Sequence, residues 1–160
     1  MRVVFLDIDG VLNSDRYFTE HPWPAGASWW SADAIDPSAV ALLEVLVART
    51  GAEVVLSSSW RKRTTLDEIN ELLSARGLSK RVLSVTPSLY RTADGVRLTR
   101  GDEILAWLEA AREEGAVIER WVVLEDEEAL GEVEKWCVRT EPSAGLTAGD
   151  VERAARMLEG

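Results

Sequence analysis

The chain has 160 residues, 46% of them hydrophobic, and its 28 acidic and 18 basic side chains give a net charge of −10. A chain of this size buries roughly 70% of the surface of its unfolded form, so these values exclude intrinsic disorder and predict one domain over residues 1–160. The negative charge opposes extended binding to nucleic acid but leaves room for a small basic site.

The sequence also predicts where the protein resides. No stretch approaches the ~20 apolar residues of a bilayer span, and Met1-Arg2 leads directly into an apolar strand rather than a leader segment. The single cysteine, Cys137, excludes an internal disulfide and fits a reducing compartment. We therefore expect a cytoplasmic protein without a membrane partner, and the sequence leaves its oligomeric state open.

The first predicted element is the apolar run of residues 3–6, which leads into Asp7, Asp9 and Gly10. A short continuous apolar run is typical of a strand that is buried on both faces and central in a parallel sheet. Reactive groups in such sheets lie at the carboxyl ends of the strands. Two carboxylates held together there repel each other unless a cation or a shared proton intervenes. The pattern indicates a hard divalent cation, Mg²⁺, with oxygen ligands.

Residues 14–36 form the least regular segment of the chain. They are rich in aromatic residues, and Pro22, Pro24 and Gly26 interrupt regular structure there. The segment is too short for a large cap, so we expect it to form a flap over the site. Asp36 and Pro37 then predict the start of a helix that Gly51 ends.

Strands and helices alternate through the rest of the chain. Strands are predicted at 53–56, 81–85, 121–124 and 135–140, and helices begin near Thr65, Thr99 or Gly101, and Thr147. The alternation predicts a three-layer α/β/α Rossmann-like fold around a central parallel sheet. The first strand lacks a G-x-G-x-x-G sequence after it, so a dinucleotide fingerprint is absent.

Further polar groups follow the predicted strand ends. Ser57 and Ser58 follow the second strand, Glu125 and Asp126 follow the fourth, and Arg100 stands at a helix start between the third and fourth strands. For the basic residue of the site, Arg61, Arg91 and Arg97 are alternatives to Arg100.

Taken in order, these groups resemble the four motifs of the haloacid dehalogenase (HAD) superfamily over nearly the whole chain. The resemblance implies a HAD fold with a minimal cap, and a Mg²⁺-dependent phosphatase that forms an aspartyl-phosphate. Asp7 is then the nucleophile and Asp9 the general acid and base. Ser57 donates hydrogen bonds to a phosphoryl oxygen, and Arg100 offsets the charge of the phosphoryl group.

The resemblance also implies a metal site and a substrate site. The metal ligands are expected to be Asp7, the backbone carbonyl of Asp9, and Glu125 or Asp126. Gly10, Ser58 and Arg61 are expected to bind the substrate. The chain departs from the superfamily at Glu125, where an Asp is usual, and this suggests an alternative: a weakly active or inactive module that binds phosphate and regulates.

Closer similarity is indicated by FLDIDGVLN, LSSSWR, Thr86-Pro87, Arg100 with Glu103-Ile104, and Gly145-Leu146-Thr147. Together these resemble the small HAD domains associated with bacterial RNA-repair proteins. Three of the seven Trp residues lie at 23–30, where a ring either plugs the flap onto the core or stacks a nucleobase. We therefore expect a phosphorylated small molecule as the substrate, and favour a nucleotide or a nucleic-acid end over a sugar phosphate.

A receiver-type signalling domain is the alternative from another class. Receivers also combine clustered acids, Ser or Thr, and a basic residue on a parallel α/β sheet. Their phospho-accepting Asp follows the third strand, whereas the third predicted strand of this chain ends in Val85-Thr86-Pro87. The sequence therefore disfavours this class.

Overall fold

The computed structural model describes residues 1–126 and 128–160. In these ranges the strands are Arg2–Leu6 (β1), Glu53–Leu56 (β2), Val82–Val85 (β3), Arg120–Glu125 (β4) and Cys137–Arg139 (β5). The α-helices are Asp15–Glu20 (α1), Pro37–Thr50 (α2), Leu66–Ala75 (α3), Arg100–Glu113 (α4) and Ala148–Glu159 (α5). Short 3₁₀ helices cover Ala32–Ala34, Ser59–Lys62 and Gly131–Trp136. Within the same ranges, the helices are too short or too polar to cross a bilayer.

The five strands pair in parallel in the order β3-β2-β1-β4-β5, so the first strand is central as predicted. Alternate residues of β1 enter two different apolar cores. Val4 and Leu6 belong to the core that contains residues of α2, α3 and α5, while Val3 and Phe5 belong to the core that contains residues of α4. Helices therefore cover both faces of the sheet, which confirms the predicted three-layer α/β fold.

The predicted helix boundaries are confirmed where the sequence carries capping residues. The Asp36 side chain accepts from the N–H of Ser38, Pro37 occupies the first turn of α2, and Gly51 ends that helix in the left-handed conformation at φ 66°. Thr65 and Glu68 form a capping box at the start of α3. Each cap satisfies backbone groups that a helix end leaves without partners.

Two segments differ from the sequence-based expectation. The flap segment 14–36 begins with the helix α1, because Ser14 accepts from the N–H of Tyr17 and the interrupting prolines come only after its last turn. The fifth strand is shorter than predicted, because residues 131–136 form a 3₁₀ helix before it. Neither difference changes the order of the strands.

The order of the strands places a crevice beside β1. The chain proceeds from β1 through β2 to β3 on one side, then crosses to β4 and β5 on the other side. In open parallel sheets ligands bind where the order reverses, outside the carboxyl ends of the strands. In this protein that point lies between the ends of β1 and β4, where Asp7 and Glu125 are found.

Candidate functional site

Backbone hydrogen bonds continue the sheet one residue beyond its strands. The N–H of Asp7 donates to Leu124 O at 3.0 Å, and the N–H of Ser57 donates to Leu6 O at 2.8 Å. On the other side of the sheet, the N–H of Thr140 donates to Glu125 O at 3.0 Å. The polar residues at neighbouring strand ends are therefore fixed side by side at one edge.

Three carboxylates meet at this edge. Asp7, Glu125 and Asp126 each offer an oxygen, and these oxygens lie within 4.8 Å of one another. Asp7 is 5% exposed and Glu125 only 1%. Burial, which disfavours the charged form, raises the pKa of Asp7 to about 6, although Arg100 and the Ser58 hydroxyl offset part of the shift. Burial, together with the charge of Asp7, also raises the pKa of Glu125 to about 9.

The Glu125 carboxylate is oriented by the backbone that follows it. The N–H of Asp126 donates to Glu125 Oε1 at 2.9 Å. The other oxygen, Oε2, is buried and accepts no hydrogen bond from the described residues. A buried carboxylate oxygen without a donor is costly unless a cation offsets its charge. The cluster offers oxygen donors only, the set that Mg²⁺ prefers, so these residues fit a magnesium site.

Gly10 brings the backbone against this cluster. Its φ of 73° is a conformation that residues with a side chain rarely adopt, and an added Cβ would overlap the carboxylate of Asp126. The N–H of Gly10 donates to Asn13 Oδ1 at 2.9 Å, and its carbonyl accepts from Thr140 Oγ1 at 2.8 Å. Gly10 therefore lets the loop after β1 pass directly beside Asp126.

Asp9 is held by two side chains for which the sequence analysis predicted no role. The indole Nε1–H of Trp60 lies 3.2 Å from both carboxylate oxygens of Asp9. Asn13 Nδ2 donates to Asp9 Oδ1 at 3.0 Å and also to the carbonyl of Ala34 at 2.9 Å. Trp60 is fully buried, so this contact fixes the orientation of the Asp9 carboxylate.

Arg100 occupies the first turn of α4 and is 9% exposed. Its Nε lies 3.6 Å from Glu125 Oε2, and its terminal nitrogens lie 3.8 Å from Glu128 Oε1 and 3.9 Å from Glu103 Oε2. These separations give electrostatic attraction but exceed hydrogen-bond length. Nε is buried without a hydrogen-bond partner among the described residues, so it remains able to donate to a bound anion.

Arg61 is the second buried cation at this edge. It donates to Glu103 Oε2 at 2.6 Å and to the carbonyl of Ser58 at 2.5 Å, and its side chain is 4% exposed. Glu103 also accepts from the N–H of Leu89 at 3.0 Å. Burial lowers the pKa of Arg61, and the charge of Glu103 opposes that shift. Glu103 therefore ties Arg61 to α4, the helix that carries Arg100.

The two serines after β2 differ in their surroundings. Ser57 is 1% exposed, and its hydroxyl has no hydrogen-bond partner in the described part of the chain. Ser58 caps the 3₁₀ helix at 59–62 by accepting from the N–H of Trp60 at 3.4 Å. A buried hydroxyl without a partner is rare, and this one remains able to donate a hydrogen bond to a ligand at the strand end.

The aromatic residues of the flap pack largely on one another. The rings of Trp23 and Trp29 stack with centroids 5.0 Å apart, and Phe18 lies 5.3 Å from Trp29. Trp30 meets the buried Trp60 edge to face at 5.3 Å. Trp29 stays 46% exposed, whereas Trp23 packs against the core. The flap therefore contacts the residue that orients Asp9.

The other two alternatives to Arg100 lie outside the acidic cluster. Arg91 and Arg97 face each other across an isolated antiparallel bridge in the exposed segment before α4. The acidic run after Asp126 continues into Glu127 and Glu128, whose side chains the sequence predicts to face solvent. The Glu128 side chain is exposed, and its N–H lies 3.5 Å from Glu125 Oε1, while Glu127 lies outside the described residues. Trp60, Asn13 and Glu103 had a signal in the sequence, because each lies in a segment that carries the resemblance to the HAD domains of RNA-repair proteins.

At Gly101, the start of α4 packs closely against the segment after β4. A Cβ at Gly101 would overlap the carbonyl oxygen of Leu130. Leu130 is itself buried in the core that contains Ile104. The backbone that carries Arg100 therefore packs directly against the chain that follows Glu125 and Asp126.

Comparison with known proteins gives one match. The family model described as "HAD domain in Swiss Army Knife RNA repair proteins" matches residues 3–151. No curated protein and no solved structure shows significant similarity to the chain. The match includes every residue of the acidic cluster and both buried arginines.

Proposed function

The chain belongs to the family of HAD domains in Swiss Army Knife RNA repair proteins, and from this premise we propose that it is a Mg²⁺-dependent phosphomonoester hydrolase that forms an aspartyl-phosphate. Membership supports a HAD-type hydrolase. One observation carries the finer proposal: Asp7, Glu125 and Asp126 converge at a sheet edge where buried donors of Ser57 and Arg100 have no partner among the described residues. Carboxylate oxygens that can bind a cation and hydrogen-bond donors that can bind an anion thus lie at the same edge of the sheet.

The metal ligands in this proposal are the carboxylates of Asp7 and Asp126, the free oxygen of Glu125, and the backbone carbonyl of Asp9. When bound, Mg²⁺ would supply positive charge that offsets the negative charge of the carboxylates and of the substrate. With that charge offset, Asp7 would be ionised at neutral pH and able to act as a nucleophile.

In the first step, a carboxylate oxygen of Asp7 forms a bond to phosphorus while the ester P–O bond breaks. Asp9 gives its proton to the departing alkoxide oxygen. Ser57 and Arg100 donate to the phosphoryl oxygens, and Ser58, Arg61 and the Gly10 backbone border the substrate. Negative charge on the transferring group is thereby offset on several sides.

In the second step, Asp9 accepts a proton from water, and the water oxygen attacks phosphorus. The bond between phosphorus and Asp7 breaks, which releases inorganic phosphate and restores the Asp7 carboxylate and the protonated Asp9. Trp60 and Asn13 hold the Asp9 carboxylate between the two steps. They act as positioning residues, because they contact Asp9 rather than the reacting atoms.

We expect phosphate release from phosphomonoesters with Mg²⁺ and none after chelation. The measurement is a screen of nucleotides, sugar phosphates and 3′- or 5′-phosphorylated oligonucleotides with Mg²⁺ or EDTA. Borohydride reduction of acid-quenched enzyme then converts an acyl phosphate at Asp7 to homoserine, which peptide mass spectrometry detects. Hydrolysis that persists in EDTA, or turnover without label at residue 7, contradicts the proposal.

A phosphate-binding module of low turnover is the second candidate, because Glu125 replaces the Asp usual in the superfamily. Glu reaches one methylene farther, and Mg²⁺ demands near-ideal geometry at about 2.0–2.1 Å. Two features favour the active enzyme: the backbone donor on Glu125 Oε1 fixes the longer side chain in place, and Oε2 has no hydrogen-bond partner among the described residues that would compete with a cation. Mg²⁺-dependent binding of inorganic phosphate without turnover on any phosphomonoester is the result that supports the module.

We further propose a nucleotide or a nucleic-acid end as the substrate, which the RNA-repair context of the family supports. Trp29 is the exposed ring of the flap, and base stacking on an aromatic side chain contributes roughly 1–3 kcal/mol. Trp29→Ala is expected to lower kcat/KM for a nucleoside monophosphate about tenfold and to leave a hexose phosphate unaffected. Trp23→Ala serves as the comparison, because Trp23 packs on the core and its loss lowers the melting temperature. Equal losses on both substrates in Trp29→Ala contradict base stacking there.

A further inference from the structure

A cavity of about 500 Å³ lies beside Arg100. Arg61, Arg100 and Glu103 form its buried wall, and Lys62, Tyr90 and Arg97 line it farther out. Its volume is within the range of small-molecule sites, roughly 300–1,000 Å³. Because Arg100 also lies against Glu125, the cavity adjoins the acidic cluster and does not overlap it.

The side chains that line the cavity carry a net positive charge, whereas the chain as a whole is negative. Four cationic side chains and two carboxylates, Glu103 and Glu128, line it in a protein of net charge −10. Both carboxylates lie near the buried arginines: Glu103 is 2.6 Å from Arg61, and Glu128 is 3.8 Å from Arg100. The local excess of positive charge is therefore contributed by Lys62 and Arg97. Neither of these two pairs with a carboxylate among residues 1–126 and 128–160.

The outer wall is built from two ordered segments. Lys62 ends the 3₁₀ helix at 59–62, and its Nζ lies 5.0 Å from the centroid of the Tyr90 ring. Tyr90 and Arg97 belong to a small hairpin at 90–98, in which the N–H of Leu98 donates to Tyr90 O at 3.0 Å. Leu89, just before it, is anchored to Glu103. The two outer cations are thus carried by segments that both reach the buried ion pair of Arg61 and Glu103.

We propose that this cavity binds a second phosphate of the substrate, namely the phosphodiester next to the terminal phosphomonoester of a nucleic-acid strand. The inference rests on the proposed function, which places the scissile phosphate between Asp7, Ser57 and Arg100. Arg100 is shared by both sites, so a phosphate in the cavity is one that neighbours the scissile group. Lys62 and Arg97 pair with its charge, and charge-assisted hydrogen bonds to phosphate are the strong ones. The net charge of −10 confines this contact to one local phosphate.

The test compares dinucleotides phosphorylated at the 3′ or 5′ end with the corresponding nucleoside monophosphates and with a nucleoside 3′,5′-bisphosphate. One dinucleotide is expected to have a kcat/KM about tenfold above its monophosphate, since a charge-assisted contact contributes about that factor. The double variant Lys62→Met/Arg97→Met is expected to bring this ratio close to one. Both side chains are exposed, so we expect the double variant to fold like the wild type. Its melting temperature checks this.

Lys135→Met is the matched control. Its Nζ also lies over an aromatic ring, 4.1 Å from the centroid of Trp136, but it does not line the cavity. We expect the dinucleotide ratio of this variant to equal that of the wild type. A ratio near one in the wild type, a ratio unchanged in the double variant, or a gain confined to the bisphosphate overturns the proposal.

Binding separates this inference from the proposed function. Calorimetry with Asp7→Asn in Mg²⁺ measures the affinity for the phosphorylated dinucleotide without turnover, alone and combined with Lys62→Met/Arg97→Met. If the wild type hydrolyses no substrate but this affinity falls about tenfold in the combined variant, the cavity assignment stands and the proposed hydrolase fails. If the wild type shows Mg²⁺-dependent turnover and the affinity is unchanged, the hydrolase stands and the cavity assignment fails.

Discussion

Asp7→Asn is expected to lower kcat/KM for every phosphomonoester at least about 1,000-fold, the scale of loss seen when a covalent nucleophile is removed. The amide keeps the shape of the carboxylate but is a poor nucleophile. It also removes the charge that, together with burial, raises the pKa of Glu125. The variant therefore remains folded, and its metal-free form is at least as stable as the wild type at pH 8.

Steady-state kinetics and thermal unfolding, measured on the same samples, check this expectation. Asp67→Asn is the matched control, because Asp67 is an exposed carboxylate in the first turn of α3, paired only with the exposed Arg81. Its activity should equal that of the wild type. A fully active Asp7→Asn enzyme is incompatible with Asp7 as the nucleophile, and an unfolded one is incompatible with the packing described for the cluster.

The second large effect concerns Glu125 and the pH dependence of stability. The pKa of Glu125 in the folded metal-free protein is raised from 4.5 to about 9, mainly by burial. Between these values the folded state binds more protons than the unfolded state, so stability falls as pH rises. Two pH units in this window correspond to about 2.7 kcal/mol. In EDTA the melting temperature of the wild type should therefore be about 5–11 °C higher at pH 6 than at pH 8.

Glu125→Gln is expected to remove most of this pH dependence and to raise the melting temperature in EDTA at pH 8. A neutral amide fits the same space and takes up no proton on folding, so it avoids the cost of protonating the carboxyl group at pH 8. Glu132→Gln, an exposed residue with the same change of charge, should keep the pH dependence of the wild type. If Glu125→Gln titrates like the wild type, the raised pKa does not belong to Glu125.

Magnesium should reverse the order of stability that Glu125→Gln and the wild type show in EDTA at pH 8. We expect Mg²⁺ to bind the folded state of the wild type and to stabilise it by about 2.7 kcal/mol at 100 times its Kd. In Glu125→Gln the effect should nearly vanish, and in Asp126→Ala it should shrink, because each variant lacks an oxygen of the cluster. Calorimetry that detects no Mg²⁺ binding at millimolar concentration, with or without inorganic phosphate, contradicts the metal site.

The sequence predicts the fold well because its local patterns agree with one another. The apolar run before Asp7 predicts a central strand, and β1 is central. Asp36, Pro37 and Gly51 predict both ends of α2, and these ends are confirmed. Such features depend on neighbours along the chain. The helix α1 escaped prediction because a single capping serine and two turns are a weak pattern beside the prolines that follow.

Less of the candidate site could be predicted from the sequence, because the contacts that support it join segments far apart along the chain. The order of the polar groups indicates which strand ends meet, since parallel strands place their carboxyl ends at one edge. Nothing in that order indicates that Trp60 donates to Asp9, 51 positions away, or that Glu103 joins Arg61 to α4. These contacts depend on side-chain packing in three dimensions. The cavity beside Arg100 likewise requires Lys62 and the 90–98 hairpin to be placed together.

The contact between Gly101 and Leu130 limits where the sequence of this protein can change during evolution. Any side chain at position 101 would push the start of α4 away from the chain after β4, and Arg100 would move with it. The hairpin at 90–98 is closed by its own backbone hydrogen bonds and is largely exposed, so its side chains are free to change without moving α4. Natural selection for new substrates can therefore act on the rim of the cavity, whereas a substitution at position 101 displaces Arg100.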